Sequence, residues 1–268
     1  MIKIFKKVKF KHKENRMKDE GDIDKSLKNY DLKKNKNLNF LLEKRFSWMN
    51  KYIKEDDSGI ELGAGAGFSK LYINNKNFKI CDFSSYDHLD YKNIDAENTK
   101  FDNNSFNYVI VSNVIHHLSS PLKFFKEVHR ILRKDGKLLI FDSHCTLFLQ
   151  IVLILMRQEG FDFTKNVWDE NLSTTEKDDL WAGNPAIPHL IFDDKKNFKL
   201  HVEPYFNLDK NEFAEFFIFL NSGGVTSKTF FIPLNYFFLN LIYKIDNLLV
   251  KLLPNFFALG RKIVLTKK

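Results

Sequence analysis

The sequence predicts an α/β protein with a doubly wound, mostly parallel sheet of the Rossmann type. A short apolar strand over 59–62 runs directly into three alternating glycines, and a second buried strand over 78–82 ends in Asp82. Asp82 follows Gly63 by 19 residues, which matches the spacing of a βαβ nucleotide-binding unit. Strand and helix patterns then alternate as far as residue 156, as in a sheet with helices on both faces.

The composition indicates a folded chain but does not identify a partner. Hydrophobic residues make up 44% of the 268 residues and charged residues 28%, so a packed core is expected. The net charge of +8 would suit nucleic acid or an anionic membrane, but acidic residues are interleaved with the lysines, which favours an unspecialised surface. Cys81 and Cys145 form no disulfide framework. With no signal sequence and no apolar run of about eighteen residues, a cytoplasmic protein is expected.

The turn after the first strand reads Glu61-Leu62-Gly63-Ala64-Gly65-Ala66-Gly67-Phe68. Glycine permits a sharp turn and the close approach of a ligand to the backbone. Phe68 stands where a dinucleotide fingerprint requires its third glycine, which argues against an NAD-type loop. The Glu61 carboxylate would favour a cationic ligand and oppose a pyrophosphate.

This E-x-G-x-G-x-G segment resembles motif I of the class I S-adenosylmethionine (SAM) dependent methyltransferases. The resemblance covers roughly half of the chain, from about residue 38 to residue 156. It implies SAM as the cofactor and a seven-stranded sheet in the order 3-2-1-4-5-7-6. It also implies that Asp82 accepts hydrogen bonds from ribose hydroxyls, that Asp95 accepts one from the adenine amino group, and that Ala96 lies against the ring. The implied cofactor-binding residues are Glu61, Gly63, Ala64, Gly65, Gly67, Asp82, Phe83, Asp95, Ala96 and Asn113.

Two adjacent histidines follow the fourth strand, at the sheet edge where open α/β folds bind ligands. His116 and His117 are similar to the His-His stretch of small-molecule methyltransferases. Imidazole titrates near neutral pH, so either histidine is a candidate general base for an oxygen acceptor. The alternative is that one of them simply packs at the start of a helix.

Other histidines give weaker signals. His144, just after the fifth strand, and His189 are further candidates for the base. No metal site is predicted, because His144 and Asp142 lack additional ligands at a characteristic spacing.

The chain divides into four predicted regions: a basic arm over 1–36, a SAM-binding core over 37–157, an insertion or lid over 158–222, and C-terminal strands over 223–268. A helix over 38–54 precedes the first strand, and a fully buried helix over 146–156 follows the fifth. In the last region we expect strands over 225–232 and 261–266, separated by an aromatic-rich helix over 236–253. That helix could line a substrate pocket, touch a membrane surface, or pack as core or lid.

Three functions remain open from the sequence. The first is methyl transfer to a small-molecule or glycan-precursor acceptor, at oxygen. The second is methyl transfer to a lipid-like acceptor, such as a quinone precursor, with peripheral contact to a membrane. The third is an RNA methyltransferase or RNA-binding module, but no aromatic and basic platform is evident, so a nucleic-acid partner is not expected. Acceptor identity and oligomeric state are not fixed by these motifs.

Overall fold

The structure is a computed structural model that describes residues 9–14, 16, 23, 35–157, 159–176, 179, 181–226 and 228–268. Most of the arm predicted over 1–36 therefore lies outside the described residues. Its described part contacts the rest of the molecule: strand β1 (Lys9–Phe10) pairs antiparallel with β6 (Phe161–Asp162), and the Ile23 side chain is buried.

A six-stranded sheet forms the centre of the fold, in the order β3-β2-β4-β5-β8-β7. The first four strands in that order are mutually parallel, while β8 is antiparallel to β5 and to β7. The bounds are β2 Gly59–Leu62, β3 Phe78–Cys81, β4 Phe106–Ser112, β5 Leu132–Ser143, β7 Phe206–Ala214 and β8 Gly260–Lys267. The predicted doubly wound, mostly parallel fold is confirmed.

Two predictions about the sheet are wrong. Among the described residues there are six strands in this sheet, because the expected edge strand beyond β3 is reduced to a bridge between Cys81 and Tyr91. Residues 83–105 are dominated by Asp, Asn and Ser and offer no apolar run for a strand. The described residues of segment 225–232 also form no strand. Its Thr229 and Ile232 N–H groups donate to Gly223 and Asn221 in the preceding loop instead.

The strand that pairs with β8 is β7, inside the range assigned to the insertion. Most of its side chains are exposed or half-buried, so its sequence, Phe-Asn-Leu-Asp-Lys-Asn-Glu-Phe-Ala, shows little hydrophobic alternation. Hydrogen bonds to the neighbouring strand rather than burial define this edge strand.

The helices cover both faces of the sheet. Their bounds are α1 Lys36–Phe46, α2 Pro121–Ile131, α3 Leu147–Met156, α4 Ala186–Asp193, α5 Lys195–His201, α6 Phe217–Leu220, α7 Tyr236–Leu252 and α8 Pro254–Phe257, with single 3₁₀ segments at Ser47–Tyr52, Phe68–Leu71 and Ile115–His117. The segment that follows the glycine loop is thus only a short 3₁₀ turn. Asn35 is the N-cap of α1, and its side chain accepts a hydrogen bond from the Leu38 N–H. Pro121 occupies the first turn of α2.

Alternate residues of the central strands pack into two separate cores. Val109 and Val111 of β4 join one core with α2, α4 and α5, while Tyr108 and Ile110 join the other with α1 and Leu239 of α7. This alternation follows from the two-residue period of a strand. The carboxyl ends of β2, β3, β4 and β5 consequently meet along one edge between the two helical layers.

Helix α3 departs from the prediction of full burial. Ile151, Ile154 and Leu155 are exposed, and the last has 75% of its surface accessible. Among the described residues, no helix combines the length and the apolar composition needed to cross a bilayer.

Candidate active site

A cavity of about 630 Å³ is lined by residues from the carboxyl ends of the parallel strands. Its volume falls within the range of pockets that hold cofactor-sized ligands. Every predicted site residue except Gly67 lines it: Glu61, Gly63, Ala64, Gly65, Asp82, Phe83, Asp95, Ala96, Asn113, His116 and His117.

The glycine loop has the backbone conformation that its sequence requires. The φ angles of Gly63, Gly65 and Gly67 are 72°, 51° and 69°, in the left-handed region that favours glycine. A β carbon at Gly63 would also lie 2.6 Å from Cγ2 of Val114. Gly67 shapes the turn instead of lining the cavity, because its N–H donates to the Ala64 carbonyl at 2.8 Å.

Asp82 holds the glycine loop as well as facing the cavity. One carboxylate oxygen accepts from Gly65 N–H at 2.8 Å and the other from Ser84 N–H at 2.9 Å. A carboxylate has about four acceptor positions, so both oxygens retain capacity for ligand hydroxyls. The role at the ribose remains a prediction, and the structural role at Gly65 was not visible in the spacing.

Glu61 lies at the base of the loop, 2% exposed, and accepts a short hydrogen bond from the Ser69 hydroxyl. Burial raises its pKa to about 8, although the Ser69 hydrogen bond opposes the increase. A cationic ligand in the cavity would favour the ionised carboxylate. His88, which the sequence did not single out, contacts the Gly65 carbonyl oxygen through Nε2 at 2.7 Å.

The segment expected on the adenine side is tied to the segment that follows His117. Asp95 accepts from the Glu97 N–H at 2.9 Å. Glu97 in turn accepts from the N–H groups of Ser119 and Ser120 at 2.7 and 2.9 Å. Ala96 and Phe83 line the cavity beside Asp95, and their contacts with adenine stay predictions.

Asn113 occupies the end of β4. Its φ angle is 57°, and its N–H donates to the Phe141 carbonyl of β5 at 2.8 Å. The strand end therefore turns sharply, so that the segment carrying His116 and His117 crosses the end of β5.

His116 is held by a buried carboxylate that the sequence analysis had considered only for metal binding. Nδ1 of His116 lies 2.6 Å from Oδ1 of Asp142. Asp142 is fully buried and also accepts from the N–H groups of Ile115 and Ser143 at 2.8 and 2.7 Å. Its hydrogen bond fixes the imidazole so that Nε2 faces Glu159 in the cavity.

Glu159 completes this cluster and was missed by the sequence analysis. Its carboxylate lies 3.4 Å from His116 Nε2 and 3.2 Å from His117 Nε2. Gly183 leaves room for it, since a β carbon there would lie 2.3 Å from the Glu159 carboxyl carbon. No spacing rule connects residue 159 with residue 116, so only the folded chain reveals the contact.

The neighbouring residue Asn184 joins the two segments that carry this cluster. Its N–H donates to the His116 carbonyl at 2.7 Å, and its side chain exchanges hydrogen bonds with the Asp162 backbone at 2.9 and 3.1 Å. Asp162 lies three residues after Glu159 in sequence. Asn184 therefore fixes the distance between the histidines and Glu159.

Burial and charge give the two histidines opposite properties. Burial alone would lower the pKa of His116, but the Asp142 and Glu159 carboxylates outweigh it and raise the value to about 9. Burial, reinforced by the charge on His116, lowers the pKa of His117 to about 3. Burial also raises the pKa of Glu159, whereas His116 and the backbone donors hold the pKa of Asp142 below its usual value despite burial. At neutral pH the cluster thus contains an imidazolium and a neutral imidazole beside a carboxyl group whose pKa is raised.

His144 and His189 lie outside the residues that line the cavity. Their rings stack at 4.6 Å, and Nε2 of His189 is 3.1 Å from Asp193. In the described part of the chain, two sets of three metal-capable side chains have ligand atoms within 4.8 Å of one another: His116, His117 and Glu159, and His144, His189 and Asp193. The fold thus assembles ligands that the sequence spacing did not reveal, and the absence of a metal stays a prediction.

Residues 60–140 match a protein-family model described as a methyltransferase domain. No curated protein matches the chain. The chain is similar to the solved structure of a SAM-dependent methyltransferase from Thermotoga maritima, with 15% identity, coverage of 85% of this chain and 93% of that chain, and a TM-score of 0.45. It is similar to one from Methanosarcina mazei with 13% identity, coverage of 83% of this chain and 97% of that chain, and a TM-score of 0.45. It is also similar to a Pyrococcus horikoshii protein, with 16% identity, coverage of 82% of this chain and 86% of that chain, and a TM-score of 0.43.

The matched segment carries both the glycine loop and the two histidines. Its positive-φ glycines, the buried Glu61 and the strand-end Asp82 fit a ligand that combines a positive charge with ribose hydroxyls. Residues 60–140 therefore carry the sequence signature of a methyltransferase domain, and SAM is the cofactor that this site fits.

Proposed function

We propose that this SAM-dependent methyltransferase methylates a hydroxyl group of a small-molecule or glycan-type acceptor. The observation that carries the proposal is the shared cavity: Glu159, His116 and His117 line the same space as the glycine loop and Asp82. A proton-accepting cluster beside a methyl-donor site suits an oxygen acceptor, which must lose its proton as it is methylated.

The reaction is an in-line displacement. SAM, when bound, supplies a methyl group activated by a sulfonium centre. An electron pair of the acceptor oxygen forms the new carbon–oxygen bond, the carbon–sulfur bond breaks, and its electron pair remains on sulfur as a thioether. The acceptor proton must leave to a base, and the enzyme must hold both partners in line, which can supply about 7–11 kcal/mol of the barrier reduction.

Glu159 is the residue we assign as the base. A general base is most effective when its pKa is near the working pH, and burial raises the pKa of this carboxyl toward that range. His116, with a pKa of about 9, is already protonated at neutral pH, and His117, with a pKa of about 3, is too weakly basic. The expectation that a histidine is the base therefore has less support than Glu159 has.

The histidines then act on Glu159 and on the acceptor. The His116 imidazolium, 3.4 Å from the Glu159 carboxylate, stabilises its ionised form before the reaction. His117 is neutral, half-buried and 3.2 Å from the same carboxylate, so it can orient the acceptor hydroxyl by a hydrogen bond. Asp142 is a positioning residue, because it touches His116 and not the cavity.

The test is transfer of an isotope-labelled methyl group from SAM to a panel of hydroxyl-bearing sugars and phenols, read by mass spectrometry. We expect a methyl ether that survives mild base, with activity that a chelator does not remove. Labelled amine or carbon products from a matched panel, with no methyl ether, would overturn the oxygen assignment. Activity lost with the chelator and restored by a divalent cation would transfer the role of the His116, His117 and Glu159 cluster from proton acceptor to metal ligand.

A further inference from the structure

Helix α7 exposes an unusual apolar stripe to solvent. Several of its accessible side chains are large and apolar, with Phe237 73% exposed, Leu252 65% and Leu248 57%. At 3.6 residues per turn, six of them lie on one side of the helix. We call this side the outer face of α7; it consists of Phe237, Phe238, Leu241, Ile245, Leu248 and Leu252.

The orientation of α7 is fixed by its opposite side. Leu239, Asp246 and Val250 are buried there. The Asp246 carboxylate accepts three hydrogen bonds, from the N–H groups of Phe216, Phe217 and Ile218, at 3.1, 3.0 and 3.0 Å. A buried carboxylate anchored in this way does not readily turn outward, so the outer face is exposed by the fold itself.

Lysines of α7 border the outer face, and no carboxylate of this helix does. Lys244 and Lys251 are exposed along one side of the stripe, followed by Asn240 and Asn247. Asp246 is the single acidic residue of α7, and it is buried. An apolar stripe with a basic border is the pattern of helices that lie in the interface of anionic membranes.

The buried side of α7 packs against a segment that lines the cavity. Asp246 ties α7 to α6, and Phe219 and Leu220 of α6 line the cavity. Two other residues that line the cavity are largely exposed: Leu155 of α3 at 75% and Phe230 at 87%. Part of the edge of the cavity is therefore apolar where it meets solvent.

We infer that the outer face of α7 docks on an anionic phospholipid bilayer and brings the cavity mouth to the lipid surface. In that arrangement the acceptor is an amphiphile whose hydroxyl-bearing head enters the cavity while its apolar chain stays in the membrane. This second part rests on the proposed methyltransferase function; the docking itself does not.

A second copy of the chain fits the outer face less well. A two-fold contact would place the same patch on both partners. Lys244 and Lys251 of the two copies would then be close together, with no exposed carboxylate of α7 to offset them. A bilayer of anionic lipid instead offers both an apolar interior and negative charge.

The experiment is sedimentation of the full chain with vesicles of phosphatidylcholine and phosphatidylglycerol in equal parts, and with vesicles of phosphatidylcholine alone. We expect binding to the mixed vesicles that decreases with added salt and is weak on the neutral ones. The variant carrying Phe237→Ser, Leu241→Ser and Leu248→Ser should lose at least about tenfold in affinity, since each side chain buries its apolar surface on docking. Lys244→Gln with Lys251→Gln should remove most of the preference for anionic lipid.

A matched control separates docking from general surface hydrophobicity. The variant with Leu71→Ser, Leu172→Ser and Leu200→Ser removes three exposed leucines from elsewhere and should bind like the unaltered chain. Titration with SAM verifies that each variant is folded. Equal loss in both triple variants, or no sedimentation of the unaltered chain, would overturn the docking.

Light scattering tests whether a second copy of the chain, rather than a bilayer, covers the outer face of α7. A dimer that becomes a monomer in the α7 triple variant, without vesicle binding by the unaltered chain, would assign the face to a second copy instead. Vesicle binding with no methyl transfer to any hydroxyl acceptor would leave the docking intact and count against the proposed function alone.

Discussion

The two sides of the cavity are built from different kinds of contact. On the cofactor side, the contacts are local: Asp82 accepts from Gly65 N–H, and Glu61 accepts from Ser69 within the same turn. On the acceptor side, side chains meet from distant segments: His116 contacts Asp142, 26 residues away, and also Glu159. The contacts on the predicted cofactor side stay within one βαβ unit, whereas those on the predicted acceptor side join separate segments. Variants on the two sides should accordingly affect different measurements.

The largest effect is expected on the acceptor side, from Glu159→Gln. Loss of the base should lower the turnover number by about 10²- to 10⁴-fold and leave the SAM dissociation constant unchanged. The control is Glu176→Gln, which alters another carboxylate that lines the cavity but is exposed and paired with Lys11 at 3.1 Å. Turnover rates and calorimetric SAM titrations of the two variants test the assignment. Equal turnover in both would remove Glu159 from the role of base.

On the cofactor side, Asp82→Ala should weaken SAM binding by about 10- to 100-fold, because hydrogen bonds to a charged group contribute about 1.5–3 kcal/mol. Isothermal titration with SAM and with S-adenosylhomocysteine measures the change. Asp87→Ala is the control, since Asp87 is exposed and paired with Lys92 at 2.6 Å. An unchanged dissociation constant in a folded Asp82→Ala protein would contradict the ribose role.

Asp142→Asn sharpens the comparison through the pH dependence of turnover. Asp142 and Glu159 raise the pKa of His116 to about 9, so turnover that depends on the imidazolium should fall as the pH rises through 9. Removing the Asp142 charge lowers that pKa, and the fall should move down by about one pH unit or more. The pH profile of the turnover number tests this, and a profile that does not move would exclude His116 as the titrating group. The SAM dissociation constant at pH 7 should not change.

The smallest effect, on stability, involves both sides. The pKa of His116 is raised from 6.5 to about 9 and that of Glu61 from 4.5 to about 8 by folding. Each group binds its proton more tightly in the folded state, so the stability it contributes at low pH is lost as the pH rises through the folded value. The free energy of unfolding should fall by about 2 kcal/mol per pH unit between pH 7 and 9, with about 1 kcal/mol per unit from each group. Urea titrations at several pH values give the free energy of unfolding of the unaltered chain and of His116→Ala and Glu61→Gln. This free energy should fall less steeply with pH in both variants. The same dependence on pH in all three proteins would contradict the assignment.

Parts of the fold were predictable where the sequence carries a period or a turn. The first two strands, predicted over 59–62 and 78–82, form over Gly59–Leu62 and Phe78–Cys81, so their bounds agree with the prediction to within one residue. Strand β7 was assigned wrongly because it is an edge strand with mostly exposed side chains, so its formation depends on hydrogen bonds to β8. Two further predictions were wrong: the full burial of α3 and the presence of a seventh strand. Both depend on which neighbouring element covers or pairs with a segment, and no local sequence pattern shows that.

The sequence by itself determined the cofactor side of this protein. The glycines after the first strand, the carboxylate of Glu61 and the strand-end Asp82 are separated by short, regular elements, so their positions in space follow from chain connectivity. Tertiary structure alone decided the acceptor side: Glu159 reaches His116 and His117 because Asn184 and Asp142 hold distant segments together. Tertiary structure also left the outer face of α7 in solvent by burying Asp246 against α6. Connectivity fixes neighbours within a βαβ unit, whereas contacts between segments far apart in sequence depend on packing and on the hydrogen bonds that buried polar groups must make.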